Sequence, residues 1–219
     1  LINIHIQNPK ISTKNFNFIV SPNHDKFHGN NVLNSIGALH HLSKTDQNIN
    51  SNLLTCIIGG DNQHYYFGNK EANKLCDKLF ELKQNNQGIE LQIVTSRRTS
   101  DIVKKIITQR LNNIANIWSG EGENPYEKAI QTSSFFIVTS DSTSMISEAA
   151  ISGRPIYIYH LPFKRKSTRI ISFHNEFNQL GITKDIEKIN HLENWEYNLL
   201  NESERIGTII KKKIIEDNL

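Results

Sequence analysis

The stretch Thr139-Ser140-Asp141-Ser142-Thr143-Ser144-Met145-Ile146-Ser147-Glu148-Ala149-Ala150 concentrates more chemistry than any other part of the chain. It reads as a strand end, a hydroxyl-rich loop and a helix. The first turn of a helix leaves backbone N–H groups without intrahelical partners, and its dipole favours an anion there. Ser140, Asp141, Ser142 and Ser144 bring hydroxyls and a carboxylate to that loop. Glu148 lies about one turn inside, where a carboxylate can accept from both hydroxyls of a ribose. The spacing points to a nucleotide site. A serine-rich cap with a solvated Glu148 is the plainer alternative and uses the same residues.

Four other loops carry unusual residues. Thr95-Ser96-Arg97-Arg98-Thr99 places two guanidinium forks and several hydroxyls between a strand and a helix. Such forks match phosphate oxygens, so Ser96, Arg97 and Arg98 are candidates for an anion, although Ser100 before Asp101 also reads as an ordinary cap. Gly59-Gly60-Asp61 follows a buried strand; glycines there permit either a tight turn or close approach of a ligand to the backbone. In Gly120-Glu121-Gly122-Glu123-Asn124-Pro125-Tyr126, Glu121 or Glu123 can hold sugar hydroxyls or a metal, while Asn124, also a candidate at the nucleotide, and Pro125 suit the start of the next helix. Leu161-Pro162-Phe163-Lys164-Arg165-Lys166 sets three cations on one loop, facing a diphosphate, an anionic membrane surface or only water.

His24 beside Asp25 in Pro22-Asn23-His24-Asp25 is a candidate general base oriented by a carboxylate, or an ordinary turn. The nine His have no metal-ligand spacing, so no metal site is expected. Neither a Gly-x-Ser-x-Gly elbow, a Walker pattern nor a complete Gly-x-Gly-x-x-Gly occurs, which disfavours serine hydrolases, P-loop NTPases and dinucleotide dehydrogenases. No cofactor is expected, a nucleotide-sugar entering only as substrate.

These loops need strands and helices to hold them. Leu53–Ile58 is a near-continuous apolar run, as in a strand buried on both faces. Ala72, Leu75, Leu79 and Leu82 fall on one stripe of a helix over Lys70–Gln84. Strands over Ile89–Thr95, Ile114–Trp118, Phe135–Thr139 and Pro155–Tyr159 alternate with helices over Asp101–Leu111, Tyr126–Gln131, Ser142–Ile151 and Ser167–Leu180. A last helix spans Ser203–Glu216, with Ile206, Ile209, Ile210 and Ile214 on its buried face. Upstream, Asn3–Gln7 and Phe16–Val20 read as short strands, and the polar stretch Ser43–Asn52 as a linker. This alternation implies βαβ units, a parallel sheet and a ligand beyond the carboxyl ends of its strands.

The chain has 219 residues and a net charge of +3, too small to argue for nucleic acid. No apolar run approaches the ~18–20 residues of a membrane span, and the N-terminal residues have no signal-peptide pattern. Two cysteines make neither a disulfide framework nor a zinc pattern, so a cytoplasmic setting is the expectation. Heavy use of Ile, Asn and Lys, all with AT-rich codons, suggests a bacterial source.

Taken in order, His5-Ile6-Gln7-Asn8-Pro9, Pro22-Asn23-His24-Asp25, Gly29-Asn30-Asn31-Val32, Gly37-Ala38-Leu39-His40, Ile58-Gly59-Gly60, Thr95–Thr99, Gly120–Tyr126 and Thr139–Met145 resemble the mitochondrial-fission "elongated mitochondria" family over essentially the whole chain. That family is similar to glycosyltransferases of the two-Rossmann-domain (GT-B) type. The resemblance implies an α/β protein in which residues 43–219 form a GT-B-like, Rossmann-like C-terminal nucleotide-binding domain. Residues 1–42 would be the end of a truncated N-terminal Rossmann-like domain. It further implies that Ser144, Met145 and Glu148 face a nucleotide-sugar, with Glu148 on the ribose and the Ser96–Arg98 loop near the diphosphate. Two alternatives stand beside a transferase. One is a non-catalytic adaptor recruiting a protein partner, as plant relatives recruit a dynamin-type GTPase at the mitochondrial surface. The other is an inactive gene fragment, since part of the two-domain cleft would be missing.

Overall fold

A computed structural model describes residues 1–43 and 49–216. Strands β1 (Ile4–Ile6), β2 (Phe18–Pro22) and β3 (Val32–Ser35) form a three-stranded parallel sheet in that order. β2 begins two residues later than the apolar run suggests because Asn17 is occupied. Asn3 and Asn17 exchange side-chain bonds with each other's amides at 3.0 and 2.8 Å before pairing starts. It also continues through Ser21 and Pro22, which pair with Asn34 and Ser35 of β3. Val32–Ser35 lacks a run long enough to announce a strand, and its neighbour β2 makes it one.

The second sheet is built from β4 (Asn50–Ile58), α1 (Asn69–Asn85), β5 (Glu90–Thr95), α2 (Asp101–Leu111), β6 (Ala115–Trp118), α3 (Tyr126–Thr132), β7 (Ser133–Thr139), α4 (Thr143–Ala150), β8 (Ile156–Tyr159), α5 (Thr168–Gln179) and β9 (Thr183–Asp185). All of its strands are parallel, in the order β6-β5-β4-β7-β8-β9. The chain works outward from β4, returns, and works outward the other way from β7. This is the doubly wound Rossmann order, with its switch point between β4 and β7. Of the expected linker Ser43–Asn52, residues 44–48 lie outside the described residues, and β4 already begins at Asn50.

Both faces of this sheet are covered. Leu54, Cys56, Ile58 and Ile137 meet Leu75, Leu79, Leu82, Val103 and Ile107 of α1 and α2. Ile57, Phe136 and Val138 meet Ile146 and Ala149 of α4 and Phe173 and Phe177 of α5. Alternate residues of each strand point to opposite helical layers, so the central strands are apolar throughout.

Helix α6 (Glu202–Glu216) returns to the first sheet, where Ile206 and Ile210 pack on Phe18 and Val20. Its start is tied to the end of β3 and the residue after it: Ile36 N donates to Glu202 Oε2 at 2.8 Å, and Arg205 Nη2 to the Asn34 carbonyl at 2.7 Å. The segment after β3 crosses α4, with Ala38 N donating to Ser147 Oγ at 2.9 Å. Gly37 has φ +70°, and a Cβ there would lie 2.5 Å from Ser147 Oγ, so glycine allows this close crossing. The carboxyl ends of β1–β3 thereby face the N-terminus of α4.

Candidate functional site

At the switch point a buried carboxylate knits three loops. Asp141, just before α4, accepts from Gly60 N at 3.0 Å, from Thr139 Oγ1 at 2.6 Å and from Arg98 Nη2 at 2.9 Å. Thr139 Oγ1 in turn accepts from Gly59 N at 2.8 Å. Thr99 Oγ1 donates to the carbonyl of Gly59, and Ser96 N donates to Thr99 Oγ1 at 2.9 Å. Burial raises the Asp141 carboxyl above the ordinary carboxylate value, and the Thr139 and Gly60 bonds and the Arg98 charge offset only part of this. The glycines are required sterically. A Cβ on Gly59 would sit 2.2 Å from Asp141 Oδ2, and one on Gly60 would sit 2.0 Å from the Arg98 carbonyl.

Beyond this knot lies a cavity of about 130 Å³ between the first sheet and α4. Gln7, Pro22, His24 and Ser35 line it from the carboxyl ends of β1–β3, Thr143 and Ser144 from the first turn of α4, and Arg169 from α5. Ser142 caps α4, its side chain accepting from Met145 N at 3.4 Å. Among the described residues nothing accepts from the backbone N–H of Thr143 or Ser144. The cavity therefore has open helix amides at one wall and a guanidinium at another, an arrangement suited to an anion.

His24 is buried, packed edge-on against Phe173 at 5.2 Å. Burial lowers its pKa to about 4, with Asp25 pulling the other way, so the imidazole is neutral at pH 7. Its Nε2 is 3.7 Å from Asp25 Oδ1, too far for a hydrogen bond; that oxygen instead accepts from Arg169 Nε. Asp25 thus positions Arg169 more directly than it orients His24. His174 lies behind, its Nε2 donating to the Ser140 carbonyl at 3.0 Å, and burial lowers it too to about 4.

Glu148, one turn down α4, accepts from the Tyr126 hydroxyl at the start of α3. Burial and the adjacent carboxylate raise that phenol, while burial lowers the neighbouring His40. Glu148 Oε1 has no bond among the described residues.

The structure thus gathers the predicted residues unevenly. Gly59, Gly60, Ser96, Arg98 and Asp141 meet at the switch point, but their polar groups largely satisfy one another. His24, Asp25, Ser142 and Ser144 surround the cavity or its rim, with Glu148 along the same helix. Arg97 is exposed, with no side-chain partner among the described residues. Ser140 is buried, its Oγ accepting from Leu161 N at 3.0 Å, and Met145 packs into the core. Asn124 Oδ1 accepts from Tyr126 N at 3.0 Å, starting α3. Glu121 lies in a separate groove against Asp101, Lys104 and Lys105 of α2. Arg169, Gln7 and Tyr126 are site residues the sequence reading missed. Gln7 and Tyr126 stand inside the runs His5–Pro9 and Gly120–Tyr126 without a charge that singles them out, and nothing local marks Arg169, which lies 144 residues from the carboxylate that holds it. Among the described residues no group of His, Cys, Asp and Glu is gathered as for a metal, and no helix is long and apolar enough to cross a membrane.

A family model described as Mitochondrial fission ELM1 matches residues 1–214. "Mitochondrial fission protein ELM1" of Arabidopsis thaliana is 23% identical over 252 residues, covering 96% of this chain and 57% of the plant protein. "Uncharacterized protein RP120" of Rickettsia prowazekii (strain Madrid E) is 35% identical over 159 residues, covering 71% of this chain and 45% of the relative. The chain spans about half the length of the curated relatives it matches. Among solved structures, the S. aureus MnaA-UDP co-structure matches with a TM-score of 0.49 at 11% identity, covering 93% of this chain and 52% of that one. TarM matches with a TM-score of 0.45 at 12% identity, covering 96% and 43%.

Proposed function

This chain belongs to the mitochondrial fission ELM1 family, and from that premise we propose that it binds a nucleotide-sugar in the cleft between its two sheets and takes part in glycosyl transfer. The observation that carries the reading is the cavity at the first turn of α4, where the free amides of Thr143 and Ser144 converge with the Ser144 hydroxyl and Arg169. A diphosphate seated there is stabilised by helix amides and a fixed guanidinium without a metal. Glu148 Oε1 then takes the ribose hydroxyls while Oε2 stays with Tyr126. Arg98 is held by Asp141, so the diphosphate charge falls to Arg169. In the transfer, the acceptor oxygen bonds to the anomeric carbon and the bond from that carbon to the diphosphate oxygen breaks. The acceptor proton passes to His24, which lines the cavity and is unprotonated at pH 7, although burial weakens it as a base.

One surface feature favours a second reading, an adaptor without catalysis that docks a protein or an anionic membrane. Tyr66 and Phe163 are exposed on paired loops, with Arg165 and Lys166 free beside them. Thermal unfolding with a panel of nucleoside diphosphates and nucleotide-sugars separates the readings. A ligand at 100 times its Kd adds about 2.7 kcal/mol, roughly 5–11 °C for a chain of this size. A shift with one nucleotide that is lost in Glu148→Ala and Arg169→Ala is expected. No shift with any of them, from a folded protein, leaves the adaptor.

A further inference from the structure

A second hollow, of about 200 Å³, opens at the mouth of the cleft, lined by Gln7, Asn8, Lys10, Asp25 and Arg169. Gln7 and Arg169 line the inner cavity as well, so the two spaces share a wall. All five residues that line the outer hollow are polar or charged. Among the described residues the Gln7 amide and the Lys10 ammonium have no partner. Arg169 gives its Nε to Asp25 and keeps both terminal nitrogens free.

The backbone singles out the same place. Gln7, Lys10 and Lys26, with φ of 78°, 59° and 52°, are the non-glycine residues of positive φ among those described. Two of them line the hollow and the third follows Asp25. Each carries a backbone cost that a glycine would avoid. The backbone is pinned in these conformations: Gln7 N donates to the Val20 carbonyl at 2.7 Å and Lys10 N to Asn8 Oδ1 at 2.9 Å. Strain of this kind gathers at binding sites, where a side chain in a set position outweighs conformational ease.

We propose that this outer hollow is the acceptor subsite of the cleft and takes a hydroxylated small molecule bearing an anionic group, a sugar acid or a sugar phosphate. The assignment rests on the transfer reading above. Lys10 and Arg169 meet the anionic group, Gln7 and the free oxygen of Asp25 meet hydroxyls, and Arg169 spans from acceptor to diphosphate. With no apolar or aromatic residue among those lining it, the hollow disfavours a lipid or an aromatic acceptor, and the excess of cationic donors favours an anionic sugar over a neutral one.

Backbone amide NMR of the full chain, titrated with glucuronate, glucose 6-phosphate and glucose, with and without UDP, tests this. Both anionic sugars, or one of them, shift the amides of Gln7, Asn8 and Lys10 and of residues 24–26, and glucose binds at least fivefold more weakly. Lys10→Gly suits its left-handed backbone and keeps the fold; it weakens the anionic sugar at least fivefold and leaves UDP-induced shifts at Thr143 and Ser144 intact. Equal binding of glucose, no shifts at Gln7, Asn8 and Lys10, or unchanged affinity in Lys10→Gly overturns the subsite. UDP shifts missing at Thr143 and Ser144, with anionic sugars still bound, overturn the nucleotide reading and with it the acceptor role.

Discussion

Asp141 and Gly59 should be energetically coupled, and the coupling can be worked from their geometry. In Asp141→Ala, the buried Gly60 N–H and the Thr139 hydroxyl each lose an acceptor, at about 1–2 kcal/mol apiece. Arg98 is 41% exposed and turns to water, adding at most about 0.5 kcal/mol. Relief of the carboxylate's own burial works in the other direction, so the loss is about 2–3 kcal/mol. Asp141→Asn keeps one acceptor and turns an amide N–H toward another donor, for about 1–2 kcal/mol. Gly59 has no left-handed φ, so Gly59→Ala carries no backbone penalty. Its cost is the collision at 2.2 Å with Asp141 Oδ2, about 2–3 kcal/mol. Removing the carboxylate removes the collision, and the double variant should be more stable than the summed single losses by about 1–3 kcal/mol. Urea unfolding of the four proteins, with m-values checked for constancy, measures this. Additivity within about 0.5 kcal/mol would refute the three-loop knot.

Acidification should destabilise the fold through its buried histidines. His174 falls from 6.5 to about 4 on folding because burial disfavours its charged form. Its contribution is therefore whole above pH 6.5 and is lost as pH drops from there through 4, by up to about 3 kcal/mol. His24 acts in the same direction. Stability measured from pH 7.5 to 4.5 should fall, less steeply in His174→Gln, and equal slopes in the two proteins would exclude this cause. Ile206→Asp places a carboxylate between α6 and the first sheet, at a cost of about 3 kcal/mol or more. Hydrogen exchange should then rise in β1–β3 before β4–β8, and a uniform rise would show that α6 is not the private cover of that sheet.

Much of the fold is legible locally. The stripe Ala72, Leu75, Leu79 and Leu82 predicts α1, and all of these side chains are buried as read. The apolar runs at Leu53–Ile58 and Phe135–Thr139 predict strands covered on both faces, and Ser100, Ser142 and Ser167 each cap the helix they precede. Such features depend on residues two to four positions apart, so sequence spacing carries them. In α2, Ile102 falls within the helical pattern yet is exposed, because the sheet accepts only the Val103, Ile107 and Leu111 edge.

Residue type and local spacing are enough to fix the alternation of strand and helix, hence a parallel sheet and the loops on which a ligand would sit. Tertiary structure decided what those loops do. It turned Gly59, Gly60 and Arg98 toward Asp141 rather than leaving them all open. It also brought Asp25 to Arg169 and folded α6 back over β2. Each of these contacts joins residues far apart in the chain. They depend on which strand lies beside which and on where a crossing segment can fit, and local periodicity records neither.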